Sequence, residues 1–207
     1  MDTWTGRILL NRLLKKGAVS FRRRGRMHQY FPALVVLLFV LSCSTPSSQS
    51  ARAPGPPPGA LAAVAPEGST LSGQPRYFGT EAHPFKDGNI FNYIDGGGMV
   101  YVDHGFTDLF HAEYVDDRGN TITLDVYGMS TPDQARQALA DERICPAGAG
   151  PLELDTSGKS YRFPPDYFFY FVQGRRLVYL HVSDDRLSAR LARFGATVKS
   201  ILAKEKS

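Results

Sequence analysis

The chain has 207 residues, with 24 Lys and Arg against 20 Asp and Glu, and 43% of it is hydrophobic. Eight of the basic residues (Arg7, Arg12, Lys15, Lys16, Arg22, Arg23, Arg24 and Arg26) precede Cys43, against the single acid Asp2, which leaves 16 basic and 19 acidic residues beyond it. The sequence pI of about 9.1 is therefore a property of the leader, and the rest of the chain loses the main argument for binding nucleic acid.

The leader, residues 1–42, reads as a signal peptide. A basic stretch precedes the apolar run "ALVVLLFVL" from Ala33 to Leu41, and small Ser42 and Cys43 follow. Nine apolar residues are too few to span a hydrocarbon core, which needs about 20 in a helix. The tetrapeptide Val40-Leu41-Ser42-Cys43 resembles the lipobox of bacterial lipoproteins. That resemblance implies diacylglyceryl attachment to the Cys43 thiol, cleavage after Ser42 and acylation of the new amino group; the alternative is an ordinary secretory signal. Two or three acyl chains, at roughly 0.8 kcal/mol per buried CH₂, anchor stably where one chain does not. The stretch ahead of the apolar run is long, and Met27 is a second candidate start, although it would leave no Lys or Arg before that run. Ser44 is not the Asp that commonly retains lipoproteins in the inner membrane, so in a Gram-negative cell the implied address is the outer membrane, facing the periplasm.

Residues 44–75 hold seven of the 14 prolines and almost no large apolar side chain, which reads as a disordered tether. The globular domain is then expected at 76–207. Its first helix is expected from Asn89 to His104, with Asp87 or Asn89 as N-cap and Gly105 just past its end. In Phe110 to Tyr127, two alternating runs flank Asp117, Arg118 and Gly119. A three-residue loop with Gly119 left-handed places Phe110, Ala112 and Tyr114 opposite Val126, Leu124 and Ile122 on one apolar face, whereas a two-residue loop sets Glu113 against Leu124. A second helix starts with Thr131 as N-cap, Pro132 at N1 and Gln134 at N3, and Pro146 follows its end. Leu152 to Phe163 reads as a strand, and Asp166 to Asp185 as a long hairpin turning at Gly174 and Arg175. Leu187, Leu191, Phe194, Val198, Ile201 and Leu202 recur at helical spacing in a terminal helix. The order α-β-β-α-β-β-β-α argues for a single α+β domain, an antiparallel sheet with helices packed mainly on one face.

Gly96, Gly97 and Gly98 interrupt the first helix at about 1 kcal/mol each relative to Ala, so close packing on the sheet or a break in the helix is expected there. They lack the Lys and Ser or Thr of a phosphate loop and the preceding strand of a dinucleotide fingerprint. Around them, Tyr93, Ile94, Asp95, Gly96, Gly97, Tyr101, Val102, Gly105 and Phe106 match a pattern like Y-I-N-G-G-A-E-x-Y-L-x-Y-G-F. On these residues, and onward through "ITLDVYGMSTPDQA" to Tyr167, the chain resembles a family of uncharacterised bacterial proteins, many secreted or lipid-anchored. The resemblance implies a fold unit and no activity. The family's Ala-Glu is Gly98-Met99 here, so any role of that acid is missing.

The hairpin register sets His111 opposite Asp125 and Glu113 opposite Thr123. Such a pair can orient an imidazole for general-base work in an envelope hydrolase, and is more often a half-exposed ion pair. His83, His104, His111 and His181 show no i, i+4 helical spacing, and no metal site or cofactor is implied. Cys145 becomes the only thiol once Cys43 is lipidated, and reads as a small buried hydrophobe. In the last hairpin, Phe169, Phe171, Val178, Leu180 and Val182 share one face; Phe168, Tyr170, Val172, Leu177, Tyr179 and His181 share the other. An open sheet face should be polar, so the second set reads as a surface for an envelope protein or apolar ligand (Phe168, Tyr170, Tyr179, His181), or as a face covered by a second layer from Arg76–Phe85 or Leu152–Phe163. The expectation for function is a membrane-anchored, non-catalytic binding or assembly module.

Overall fold

A computed structural model describes residues 59–152 and 155–204. The leader, Cys43 and the first part of the expected tether lie outside these residues. In chain order the elements are β1 (Ser69–Leu71), β2 (Arg76–Phe78), α1 (Phe91–Ile94), α2 (Met99–Asp103), β3 (Phe106–Asp116), β4 (Thr121–Met129), α3 (Pro132–Ala140), β5 (Gly150–Leu152), β6 (Asp155–Phe163), β7 (Asp166–Gln173), β8 (Arg176–Val182) and α4 (Ser188–Ala203). The strands form one antiparallel sheet in the order β1-β3-β4-β8-β7-β6-β5, with β2 beside β1 on the outer edge of β3.

The central hairpin has the register that burial demands. Phe110, Ala112 and Tyr114 face Val126, Leu124 and Ile122, and His111 faces Asp125. Gly119 takes φ +80° in the three-residue loop, where any side chain would be strained. The Asp116 carboxylate accepts the Arg118 and Asn120 amides, at 3.0 and 2.9 Å, and so fixes the loop from within. The last hairpin turns at Gly174 and Arg175 as the pattern requires, with Gln173 opposite Arg176 and Phe168 opposite His181.

The sheet has two apolar faces. On the first, α4 lays Leu191, Phe194, Val198 and Leu202 over Phe110, Leu124, Phe169, Val178 and Leu180. Each such side chain contributes about 1.5–3 kcal/mol on burial. Gly195 lets the helix come close, since a Cβ there would run into the Phe169 ring. On the second face, α1, α2 and α3 pack over Leu109, Tyr127, Met129 and Leu177. Among the described residues, α1, α2 and α3 thus share one face of a single α+β domain and α4 covers the other.

Two expectations are corrected. The domain begins earlier than residue 76: Leu61, in a 3-10 turn at Gly59–Ala63, is fully buried in the α4 core, and β1 pairs with the end of β3. Leu61, Val64 and Leu71, unevenly spaced in a context rich in Pro, Ala and Gly, gave no periodicity from which to read this. The first helix is not continuous. It divides into α1, a 3-10 turn at Asp95–Gly98 and α2, and Asp95 itself adopts φ +54°. Of the two explanations for the glycines the break is the one found; Cβ atoms at Gly97 and Gly98 would meet Ile94 and Phe91 of α1 itself, and Gly96 faces open space. Gly105 closes α2 at φ +73° against the Gln134 side chain. Asn89 accepts the Phe91 amide at 3.0 Å just ahead of α1, while Asp87 is drawn off to accept the Tyr77 amide at 2.7 Å. In α3, Thr131 accepts the Gln134 amide at 3.2 Å, and Pro132 opens the helix.

One polar clamp joins α2 to the turn after α3. Asp141 accepts from Arg143 Nε and Nη2, at 3.0 and 2.6 Å, and lies 2.9 Å from His104 Nε2. These bonds, Arg143 first, hold its carboxyl well below the usual carboxylate range. A depressed folded value means that the contribution is present above the unfolded value, about 3.9, and is lost as pH falls through the folded one. Acid unfolding of the parent is expected to include this loss below about pH 4, and an Asp141→Asn chain should show a flatter stability-against-pH curve there. Equal slopes by chemical denaturation would contradict it.

Candidate functional site

The sheet's second face divides into a covered half and a half-open one, and the predicted residues fall in both. In the covered half, Asp125 of β4 is 2% exposed and collects three donors. His111 Nδ1 lies at 2.7 Å; the Tyr93 hydroxyl donates at 3.0 and 3.2 Å and the Tyr127 hydroxyl at 3.1 Å. A carboxylate only accepts, so Nδ1 is the ring nitrogen that donates to Asp125. Nε2 lies 3.9 Å from Glu113 Oε1, and the ring is stacked obliquely under Tyr93 with centroids 4.6 Å apart. Tyr101 stacks on Tyr127 at 4.1 Å and 8°. Burial pushes the hydroxyls of both well above the ordinary tyrosine range. A carboxylate with three donors is thus the point at which α1 and α2 are held to the sheet.

The expected His111–Asp125 pair therefore exists, and it is buried where a half-exposed ion pair was the common expectation: His111 is 5% exposed. Among the described residues, no hydroxyl or thiol is hydrogen-bonded to its ring. Tyr93 and Tyr127 were not foreseen as its partners. Tyr127 has the same side-chain parity as Asp125 along β4, which was readable; that Tyr93 reaches over from a separate helix was not.

In the half-open part, the cross-strand rows continue from Glu113 to Thr123 to His181 to Phe168 to Tyr161. Phe168 and His181 stack at 4.8 Å and 19°; Tyr161 and Phe168 lie 6.1 Å apart, and Tyr179 is 6.2 Å from Phe168. His181 Nε2 meets Asp166 Oδ1 at 2.6 Å. Phe163, two residues on from Tyr161 and on the same face, is 57% exposed. Phe168, Tyr179 and His181 are half-buried. Tyr170 is not a surface residue: it is 6% exposed, and burial raises its hydroxyl far above the ordinary value. The second layer anticipated for this face comes from the helices, since β2 and β6 join the sheet in its own plane.

Cys145 is 1% exposed, and burial pushes its thiol up, as suits a packed hydrophobe. Among the described residues, no group of three His, Cys, Asp or Glu side chains is placed to hold a metal ion, and no helix is long and apolar enough to cross a membrane.

No protein-family model matches the chain, and no curated protein matches it. Among solved structures, the chain is similar to the extracellular domain of PknH from Mycobacterium tuberculosis, with a TM-score of 0.43 and 11% identity over 66% of this chain and 86% of that one. A similarity of that size carries no conclusion about this chain.

Proposed function

We infer that the protein is a lipid-anchored component of a bacterial cell envelope whose domain binds a partner protein without catalysing a reaction. The observation that carries the binding reading is the half-open sheet face, where Phe163, Phe168, Tyr179 and His181 are presented to solvent beside a face otherwise sealed by helices. Aromatic residues with polar tips supply contact area at low entropic cost, which is the composition of recognition surfaces. The anchor rests on the lipobox at Val40 to Cys43, and the outer membrane on Ser44. Tyr93, Tyr101, Gly96, Gly97 and Gly105, which carry the resemblance to the uncharacterised family, build the helical break and its attachment to Asp125 and Tyr127.

Two measurements test this reading. Intact mass of the membrane-extracted protein is expected to show a chain starting at Cys43 with diacylglyceryl and acyl additions; an unmodified Cys43 would remove the anchor. The full chain in neutral detergent should retain one envelope protein that is lost when Phe163 and Phe168 are both changed to Ser. Retention unchanged in that variant would remove the surface.

The hydrolase reading keeps one observation in its favour, the 2.7 Å His111–Asp125 bond that orients the imidazole. The ring's burial under Tyr93 argues against it, since a general base must reach the proton it takes.

A further inference from the structure

The half-open strip has a charge character as well as an apolar one. Glu113 on β3 and Asp166 on β7 stand at its two ends, with side chains 49% and 32% exposed, and Phe168, His181 and Tyr161 lie between and beside them. Among the described residues, the strip carries no Lys or Arg. The two basic side chains nearest to it on this face are engaged elsewhere: the Arg76 guanidinium lies 4.7 Å over the Phe78 ring, and Lys159 donates to the Leu139 carbonyl at 3.1 Å. Rings flanked by carboxylates form a surface complementary to guanidinium groups, which stack on aromatic faces and pair with carboxylates in one geometry. The chain beyond Cys43, with 19 acidic against 16 basic residues, adds to the attraction.

The spacing of the two carboxylates narrows the ligand. The Cα positions of Glu113 and Asp166 are separated by three strand steps and two residues along the strands, which is about 16 Å at 4.8 Å per step and 3.3 Å per residue. A single lipid headgroup or small cation does not bridge that distance. An extended polypeptide does, with residues four or five apart reaching the two ends and the apolar residues between them lying on Phe168 and Tyr161. We propose that the strip takes an extended segment of a partner protein that carries two arginines four to five residues apart around an apolar centre. This rests on the binding reading above and names the chemistry of its partner.

The probe is the peptide acetyl-Arg-Val-Pro-Val-Pro-Arg-amide, titrated by calorimetry into the full chain in neutral detergent. Saturable binding is expected, at least tenfold weaker when both arginines are replaced by neutral citrulline, and at least tenfold weaker in a Glu113→Gln, Asp166→Asn chain. Because Asp166 also holds His181, the single Glu113→Gln chain, altered only at a half-exposed side chain, serves as the second variant and should lose about threefold. Equal binding of the citrulline peptide, abolished by Phe163→Ser with Phe168→Ser, would overturn the cationic partner and leave the binding surface standing. Absence of saturable binding by either peptide would overturn the inference, and the envelope-retention experiment then decides separately whether the surface itself survives.

Discussion

Changing Asp108 to Ala is expected to lower the stability of the domain by about 3–5 kcal/mol, the largest effect of any polar substitution in it. Asp108 is fully buried and Arg176 is 3% exposed; they pair across the sheet, beneath which Gly128 leaves the space that both side chains occupy. Removing the carboxylate takes from the buried guanidinium the acceptor that Asp108 supplies, and the desolvation of that charge, more than the lost attraction, sets the cost. The sign of a second change follows from the same physics. Arg176→Met added to Asp108→Ala should recover part of the loss, because the buried charge is then removed together with its acceptor. Gly128→Ala should also be severe, since its Cβ would meet the Asp108 carboxylate and the Arg176 guanidinium. Urea denaturation of the three chains reads this; a cost under 1 kcal/mol for Asp108→Ala would show that water reaches the pair.

The Asp125→Ala chain is expected to lose about 3 kcal/mol, and to lose it unevenly over the molecule. Three donors lose this acceptor at once: the His111 imidazole, nearly buried, and the hydroxyls of Tyr93 and Tyr127. A buried donor without an acceptor costs about 1–3 kcal/mol, and partial access of water to Tyr93 keeps the total near the lower end of the sum. Tyr93→Phe removes a single donor and should cost about 1 kcal/mol. Both changes release the segment from Phe91 to Asp103, so amide exchange should accelerate there first while α4 and the β4–β8 pairing stay protected. Uniform acceleration would mean that Asp125 supports the whole sheet and has no special hold on α1 and α2.

What was legible in the sequence follows from which interactions are local. The β3–β4 register was readable because Gly119 permits one loop geometry, and a one-residue slip would have buried Glu113 and exposed Ala112 and Leu124. The α3 cap was readable because Thr131, Pro132 and Gln134 satisfy the helix end among themselves. The break at Asp95–Gly98 was half readable: three glycines announce that helix is costly, but they do not say whether packing compensates. Contacts made across long stretches of chain left no local trace. Tyr93 meets Asp125 from 32 residues away, Asp108 meets Arg176 from 68, and Leu61 enters the α4 core from a segment without apolar periodicity. The same limit explains Tyr170. Strand parity put it beside Phe168 and Tyr179 correctly, yet parity gives a face and does not say how far along that face the helices extend.

The central claim is that the strip around Phe163 and Phe168 meets a partner in the envelope. A photo-crosslinking phenylalanine analogue placed at position 163 in cells that make the protein tests it most directly, with the same analogue at Ala196 on the exposed side of α4 as the reference. One discrete adduct is expected from position 163, absent from position 196 and lost when Phe168 is also changed to Ser. The same weak, unselective adducts from both positions would contradict it.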